Sequence, residues 1–258
     1  MTIRAADERA HEPGSDAWWW ETWHLDVATD DGIGVSVRLA CAPTLGVAWW
    51  WTHLLLPDLP GPVVVRDHEV PLPRQGLAVR ADGLWGELDC ETPLEHWTYG
   101  LEAFGVRLDD PADSLRGEIG ERMPVGLDLE WDVDPATDLH EFDRAGEHGY
   151  EQFGNVHGEI LLDRERFEIA GAGALRSHAW GSPQFEHPMR ASWFRAGRQF
   201  ATAGRVPDGT EAGAFAMIPI EARDGRSMVL TRGLLRSTQP GTTVIGWSSR
   251  LDPANKEA

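Results

Sequence analysis

The chain has 258 residues, of which 41% are hydrophobic and 25% charged, and a net charge of −19. That length allows two ordinary domains or one large β architecture with room for an interior cavity. The charge repels phosphate backbones and no arginine or lysine cluster reverses it locally, which excludes nucleic acid as a partner.

Residues 1–16, MTIRAADERAHEPGSD, are polar and lack the basic start, apolar run and small-residue cleavage site of a secretory signal. No stretch approaches the roughly 18 apolar residues of a membrane helix, so a cytoplasmic location is expected. Next come WWWETWH and, after the first hairpin, AWWWTHLLL. Each places tryptophan on both faces of a strand, as a strand covered on each side requires. Thirteen tryptophans against two tyrosines is a large supply of apolar area, for packing or for the wall of an apolar pocket. Asp31-Gly32, Asp82-Gly83, Asp208-Gly209 and Asp224-Gly225 each sit between β-prone segments and predict tight hairpin turns. Cys41 and Cys90 form no metal or redox spacing and read as free, buried thiols in a reducing compartment.

In DCETPLEHWTYGLEAFG, the cluster Glu91, Glu95, His96 and Trp97 offers acid–base groups if it faces a cavity, and a solvated turn otherwise. In GLDLEWDVD, Leu127, Leu129, Trp131 and Val133 alternate with acidic residues, the period of two of a half-buried strand. Only DRAGEHGYEQ and LEHWTYGLEAFG leave room for a short helix, and both contain glycine. Many short strands between Gly, Pro and Asp turns imply an all-β fold, a barrel or sandwich. Residues 132–149 lack alternation and suggest a linker, which divides the chain into β domains over residues 1–140 and 141–258.

The ten histidines show no H-E-x-x-H spacing, there is no Cys-x-x-Cys and no calcium-type loop, so neither metal nor cofactor is expected. Nucleophile elbows and phosphate loops are also missing.

The run from Tyr150 to Trp180 carries the densest signal. Arg176, His178 and Trp180 alternate, so in a strand they share one face while Ser177 and Ala179 take the other. Together with Tyr150-Glu151-Gln152, Gly154, Gly158-Glu159-Ile160 and Gly171-Ala172-Gly173, the Arg176-x-His178-x-Trp180-Gly181 motif resembles the carotenoid 1,2-hydratase (hydroxyneurosporene synthase) superfamily. The resemblance implies two lipocalin-like (calycin) antiparallel barrels or barrel-like sandwiches in tandem, and places His178 and Trp180 at the active centre. The family's later Tyr-x-Asp pair has no match here.

Hydration of an isoprenoid double bond needs an acid, a group that stabilises a tertiary cation, and a base. Trp180 suits the cation, His178 suits the base, and Glu151 or Glu159 suits the acid if held protonated in an apolar surround. Arg176, able to pair with either glutamate, joins Tyr150, Trp97, Trp131 and Trp193 as residues expected to bind the ligand. Three readings follow: an alkene hydratase acting on a hydrophobic isoprenoid, terpenoid or polyene; a non-catalytic carrier of an apolar ligand; and a pericyclase using the same pocket. All three require His178 and Trp180 to adjoin a void.

Overall fold

The structure is a computed structural model. It describes residues 2–182 except 17, 18, 30, 57, 58, 60, 110–119 and 145, and, beyond 182, only the backbone of strands between 190 and 253.

A 3₁₀ turn (Ala5–Glu8) precedes eleven strands: β1 (Trp20–Ala28), β2 (Gly34–Ala42), β3 (Val47–Leu55), β4 (Val63–Pro71), β5 (Leu77–Ala81), β6 (Leu84–Thr92), β7 (His96–Leu108), β8 (Gly120–Val133), β9 (His140–Arg144), β10 (Glu147–Leu162) and β11 (Glu165–Gly181). Their order is β4-β3-β2-β1-β11-β10-β8-β7-β6-β5, with β9 beside β10 and a further pairing of β4 with β7. That last pairing, Val63 to Arg107 and Val64 to Val106, closes β4, β3, β2, β1, β11, β10, β8 and β7 into a barrel-like ring. The fold is all-β, with no α-helix among the described residues. None of their helices is long and apolar enough to cross a membrane.

A second antiparallel sheet follows the order β13-β12-β16-β15-β14, from β12 (Arg190–Arg195), β13 (Arg198–Ala201), β14 (Thr210–Glu221), β15 (Ser227–Ser237) and β16 (Trp247–Pro253). The first sheet continues across residue 140: β10 pairs with β8 on one side and β11 on the other, and β11 pairs with β1.

Alternation sets the ring's interior. Leu127, Leu129 and Trp131 of β8 are buried while Asp128, Glu130 and Asp132 are exposed, as the period of two predicts. Trp23, Leu25, Val27, Leu39, Trp50, Trp97 and Tyr99 fill the same core. On the other face of β1 to β3, Trp20, Trp49 and Trp51 are also buried, with the Arg38 guanidinium 5.4 Å from the Trp20 ring and 5.1 Å from Trp51. Tryptophan on both faces thus reflects cover on both sides. The two segments with room for a helix are strands instead. His96–Leu108 is β7, paired along its length with β8, and the described residues of the other segment belong to β9 and β10, which pair with each other; a ladder bonds the backbone where glycine weakens a helix.

Asp31-Gly32 and Asp82-Gly83 turn as predicted, with φ of 97° and 73° at the glycines; Asp208-Gly209 and Asp224-Gly225 lie outside the described residues. Cys41 is free and buried, and Cys90 is free and half-buried. Burial pushes the Cys41 thiol up to about 12 and the Cys90 thiol up to about 11.

Candidate functional site

Strand β11 presents Arg176, His178 and Trp180 on one face, as their spacing requires. In the antiparallel register Tyr150 lies opposite His178, Gln152 opposite Arg176, and Trp23 of β1 opposite His178 on the other side. Directly opposed residues share a face, so one end of the ring gathers Tyr150, Gln152, Trp23 and the β11 trio. Gly181 ends the motif for a backbone reason: its φ is 130°, and a Cβ there would meet the Gly146 carbonyl oxygen.

Two buried polar groups meet at this end. In the first, the Arg176 guanidinium lies 5.0 Å from the Trp97 ring, 4.8 Å from Trp131 and 5.3 Å from Tyr150, within range of each aromatic face. Its Nη1 and Nη2 donate to Oε2 and Oε1 of Glu8, both at 2.8 Å, and Nη2 also donates to Gln152. Tyr150 Oη donates to the same Glu8 carboxylate, as does the Leu94 N–H at 2.8 Å. Burial alone would raise the Glu8 carboxyl, but Arg176 beside it holds it below the usual carboxylate range. Burial would likewise lower the Arg176 pKa, and its contacts with Tyr150 and Glu8 raise it instead.

In the second group, Glu21 Oε1 lies 2.8 Å from His178 Nε2 and 2.7 Å from His11 Nδ1. The His11 ring stacks on Trp180 at 3.9 Å, and His178 stacks on Trp23 at 4.7 Å. Burial opposes ionisation of Glu21, yet hydrogen bonds from His11 and His178 bring its pKa below the ordinary value. Desolvation outweighs Glu21 at His178 and lowers its pKa, so this fully buried ring is neutral. A carboxylate only accepts, so Nε2 carries the proton and Nδ1 is left with a lone pair. That Nδ1 has no hydrogen-bond partner among the described residues.

The donor atoms of His11, Glu21 and His178 lie within 4.8 Å of one another, a two-imidazole, one-carboxylate set that could hold a divalent metal ion. Histidine ligands normally donate their second N–H to an acceptor, and His178 Nδ1 has none. The geometry suits shared protons better than a metal.

Beside this group is a pocket of about 200 Å³ lined by Ile3, Glu141, Phe142, Asp143, His148 and Trp180. Trp180, 7% exposed, lines the pocket and stacks on His11, whereas His178 is fully buried and is not part of the lining.

The sequence-expected residues divide. Tyr150, Arg176, His178, Trp180, Trp97 and Trp131 come together at this end. Glu151 is buried opposite Ser177, on the face away from Tyr150 and His178. Glu159 lies beyond the register shift at Val156/His157 and pairs with Arg166 at 2.9 Å. Arg176 accordingly bonds Glu8 rather than either of them. The Trp193 side chain lies outside the described residues. His96 is at the surface, with Nδ1 2.8 Å from Asp132 and Nε2 3.6 Å from Glu91. Glu8, His11 and Glu21 are additions from the fold.

A family model described as a domain of unknown function (DUF7064) matches residues 4–239. No curated protein matches the sequence. Among solved structures, the chain is similar to a Nitrosomonas europaea protein provisionally assigned as AttH, at 13% identity over 95% of this chain and 94% of that one, with a TM-score of 0.45. It is also similar to CghA, at 11% identity over 97% of this chain and 68% of that one, with a TM-score of 0.42. At these levels of identity and overlap, neither likeness bears on function.

Proposed function

We propose for this chain, which belongs to the DUF7064 family, that it binds a compact apolar molecule against Trp180 and moves protons to and from it through His11, Glu21 and His178. The observation that carries this reading is the Glu21 carboxylate: one oxygen fixes both imidazoles, and one of them, His11, stacks on the indole that lines a pocket. At about 200 Å³ the pocket is smaller than the roughly 300–1,000 Å³ common for drug-sized ligands, so it fits a small molecule or one end of a longer one.

The preferred substrate is an isoprenoid or other branched alkene. His11, half-buried and stacked on Trp180, gives a proton to the less substituted alkene carbon. The resulting tertiary cation lies against the Trp180 face, which stabilises it by on the order of 0.5–2 kcal/mol. Water adds to the cation and loses a proton to His178 Nδ1. His178 is then an imidazolium whose Nε2–H stays on the Glu21 carboxylate, and loss of its Nδ1 proton to solvent together with uptake of one by His11 closes the cycle. Capture by an internal double bond instead of water would give a cyclised product from the same residues.

Incubation with short isoprenoid alkenes in heavy-oxygen water tests the hydration step. The wild type incorporates the label and His178→Asn does not; an alkene that binds without labelling leaves a carrier.

A further inference from the structure

We propose that Arg176 and its surroundings are a receptor for the carboxylate of an amphipathic acid, and that Glu8 occupies it as an internal stand-in. The inference rests on the Trp180 pocket being a ligand site, and it adds the ligand's polar end.

Glu8 is bound as a free carboxylate ligand would be. Its two oxygens take both guanidinium arms, the Tyr150 hydroxyl and the Leu94 amide, a paired and charge-assisted set that specifies a planar anion. Every one of those donors is on the strand framework or a strand connection. Arg176 is 1% exposed, and its guanidinium is flanked by Trp97, Trp131 and Tyr150, so its position does not depend on Glu8 alone. Arg176 Nε and the indole N–H groups of Trp97 and Trp131 have no acceptor among the described residues, so the site holds more donors than Glu8 uses.

The occupant is attached differently. Glu8 arrives on a surface segment in which, of residues 2–16, only Asp7 and Glu8 are buried. Ile3 of that segment packs against Trp19, Tyr150 and Trp180 and lines the pocket, and its N–H bonds Glu141 Oε1 at 3.0 Å. Lifting residues 2–9, with His11 kept in place by its N–H and Nδ1 on Glu21, would therefore release Glu8 and join the pocket to the Arg176 site across Tyr150. A ligand with an apolar body on Trp180 would then reach Arg176 with a terminal carboxylate. The chain's net charge of −19 repels anions in general, which leaves this buried cation to select for one held in place.

Calorimetry of the full chain with decanoate and decan-1-ol tests the inference. An internal competitor reduces apparent affinity by the fraction of time that it leaves the site free, so Glu8→Ala should bind decanoate at least about tenfold more tightly than the wild type, with decanol changed less than about threefold. Equal gains for both ligands, or none for decanoate while decanol binds, would overturn the receptor and leave the pocket standing. Binding of neither ligand to any variant would overturn both. Should Glu8→Ala fail to fold, Glu8→Gln replaces it, because its neutral amide competes more weakly for Arg176: propionate should raise its unfolding temperature more than chloride of equal ionic strength does. Equal shifts would count against the receptor.

Discussion

Glu21 Oε1 and His178 Nε2 lie 2.8 Å apart across 157 residues of sequence. The contact fixes the tautomer of an imidazole in an apolar ring and leaves its Nδ1 lone pair free of the carboxylate. Removing the carboxylate should therefore cost function more than fold. Glu21→Gln keeps the shape but can present an N–H to His178, and it is expected to lower turnover by about 10²–10⁴-fold, the usual contribution of general acid–base catalysis. Ligand affinity should change far less. Turnover and calorimetry on one preparation check this; equal losses in both would assign Glu21 to binding.

The ion pair between Arg176 and Glu8 should be asymmetric under mutation. Arg176→Met leaves Glu8, Tyr150 and Gln152 without their shared partner, a change expected to cost about 3–5 kcal/mol. Glu8→Gln keeps neutral hydrogen bonds on a segment whose other residues are mostly exposed, for about 1–3 kcal/mol. Urea unfolding of the two variants gives both values, and a larger loss in Glu8→Gln would contradict the account.

Acid should destabilise the chain in two stages. Desolvation lowers the His178 pKa below its ordinary 6.5, and burial with Arg66 lowers His68 as well. Below that value the unfolded chain takes up protons that the folded chain refuses, so stability falls as pH drops below about 6.5. Glu8 and Glu21, opposed by burial but lowered by their partners, lie below the ordinary 4.5. They stabilise the fold above 4.5, and that contribution is lost as pH falls through their folded values. His96, raised by Asp132, has the opposite sign, but its surface position screens it. Unfolding midpoints at pH 7.5, 5.5 and 3.5 should fall in that order, and His178→Gln should reduce the first step. A midpoint higher at pH 5.5 than at 7.5 would refute this.

Chelation should leave the fold unchanged. His11, Glu21 and His178 share protons in this geometry, so treatment with EDTA should shift the unfolding temperature by less than about 1 °C, within the range of a change that removes no stabilising ligand. Metal recovered mole for mole with the chain would instead make these three residues ligands.

Gly154 has a packing role that can be tested apart from chemistry. A Cβ at this position would meet the Trp131 indole and the Asp132 carbonyl oxygen. Gly154→Ala must shift Trp131, one of the rings that flank Arg176, at a cost of about 1–3 kcal/mol. Near-ultraviolet circular dichroism should change with the loss of stability; unchanged spectrum and stability would mean that the site tolerates displacement.

Much of this arrangement was legible in local periodicity. The acidic and apolar alternation of residues 127–133 gave a half-buried strand, and the spacing of Arg176, His178 and Trp180 placed them on one face. The same rule separates Glu151 from Tyr150, because neighbours on a strand point to opposite sides. Glu21 had a readable signal as well. It shares a face with Trp23, Leu25 and Val27, and a lone carboxylate on an otherwise apolar face must find a partner. Which partner was not legible, because His178 reaches Glu21 only through the pairing of β1 with β11. Glu8 and His11 gave no signal: their segment is polar, without period, and ordered by contacts more than a hundred residues away in sequence. Composition left the tryptophans to packing or to a pocket wall; most described ones pack the two faces of the ring, and Trp180 is the one that adjoins the pocket on Ile3 and Phe142.

Proton transfer to a ligand on Trp180 is tested most directly by mass spectrometry of a branched isoprenoid alkene recovered after incubation with the chain in heavy water. Protonation and its reversal should place deuterium in the recovered alkene with the wild type, and His11→Asn should abolish the exchange while the alkene still binds. A wild-type chain that binds the alkene and returns it without deuterium would contradict the account.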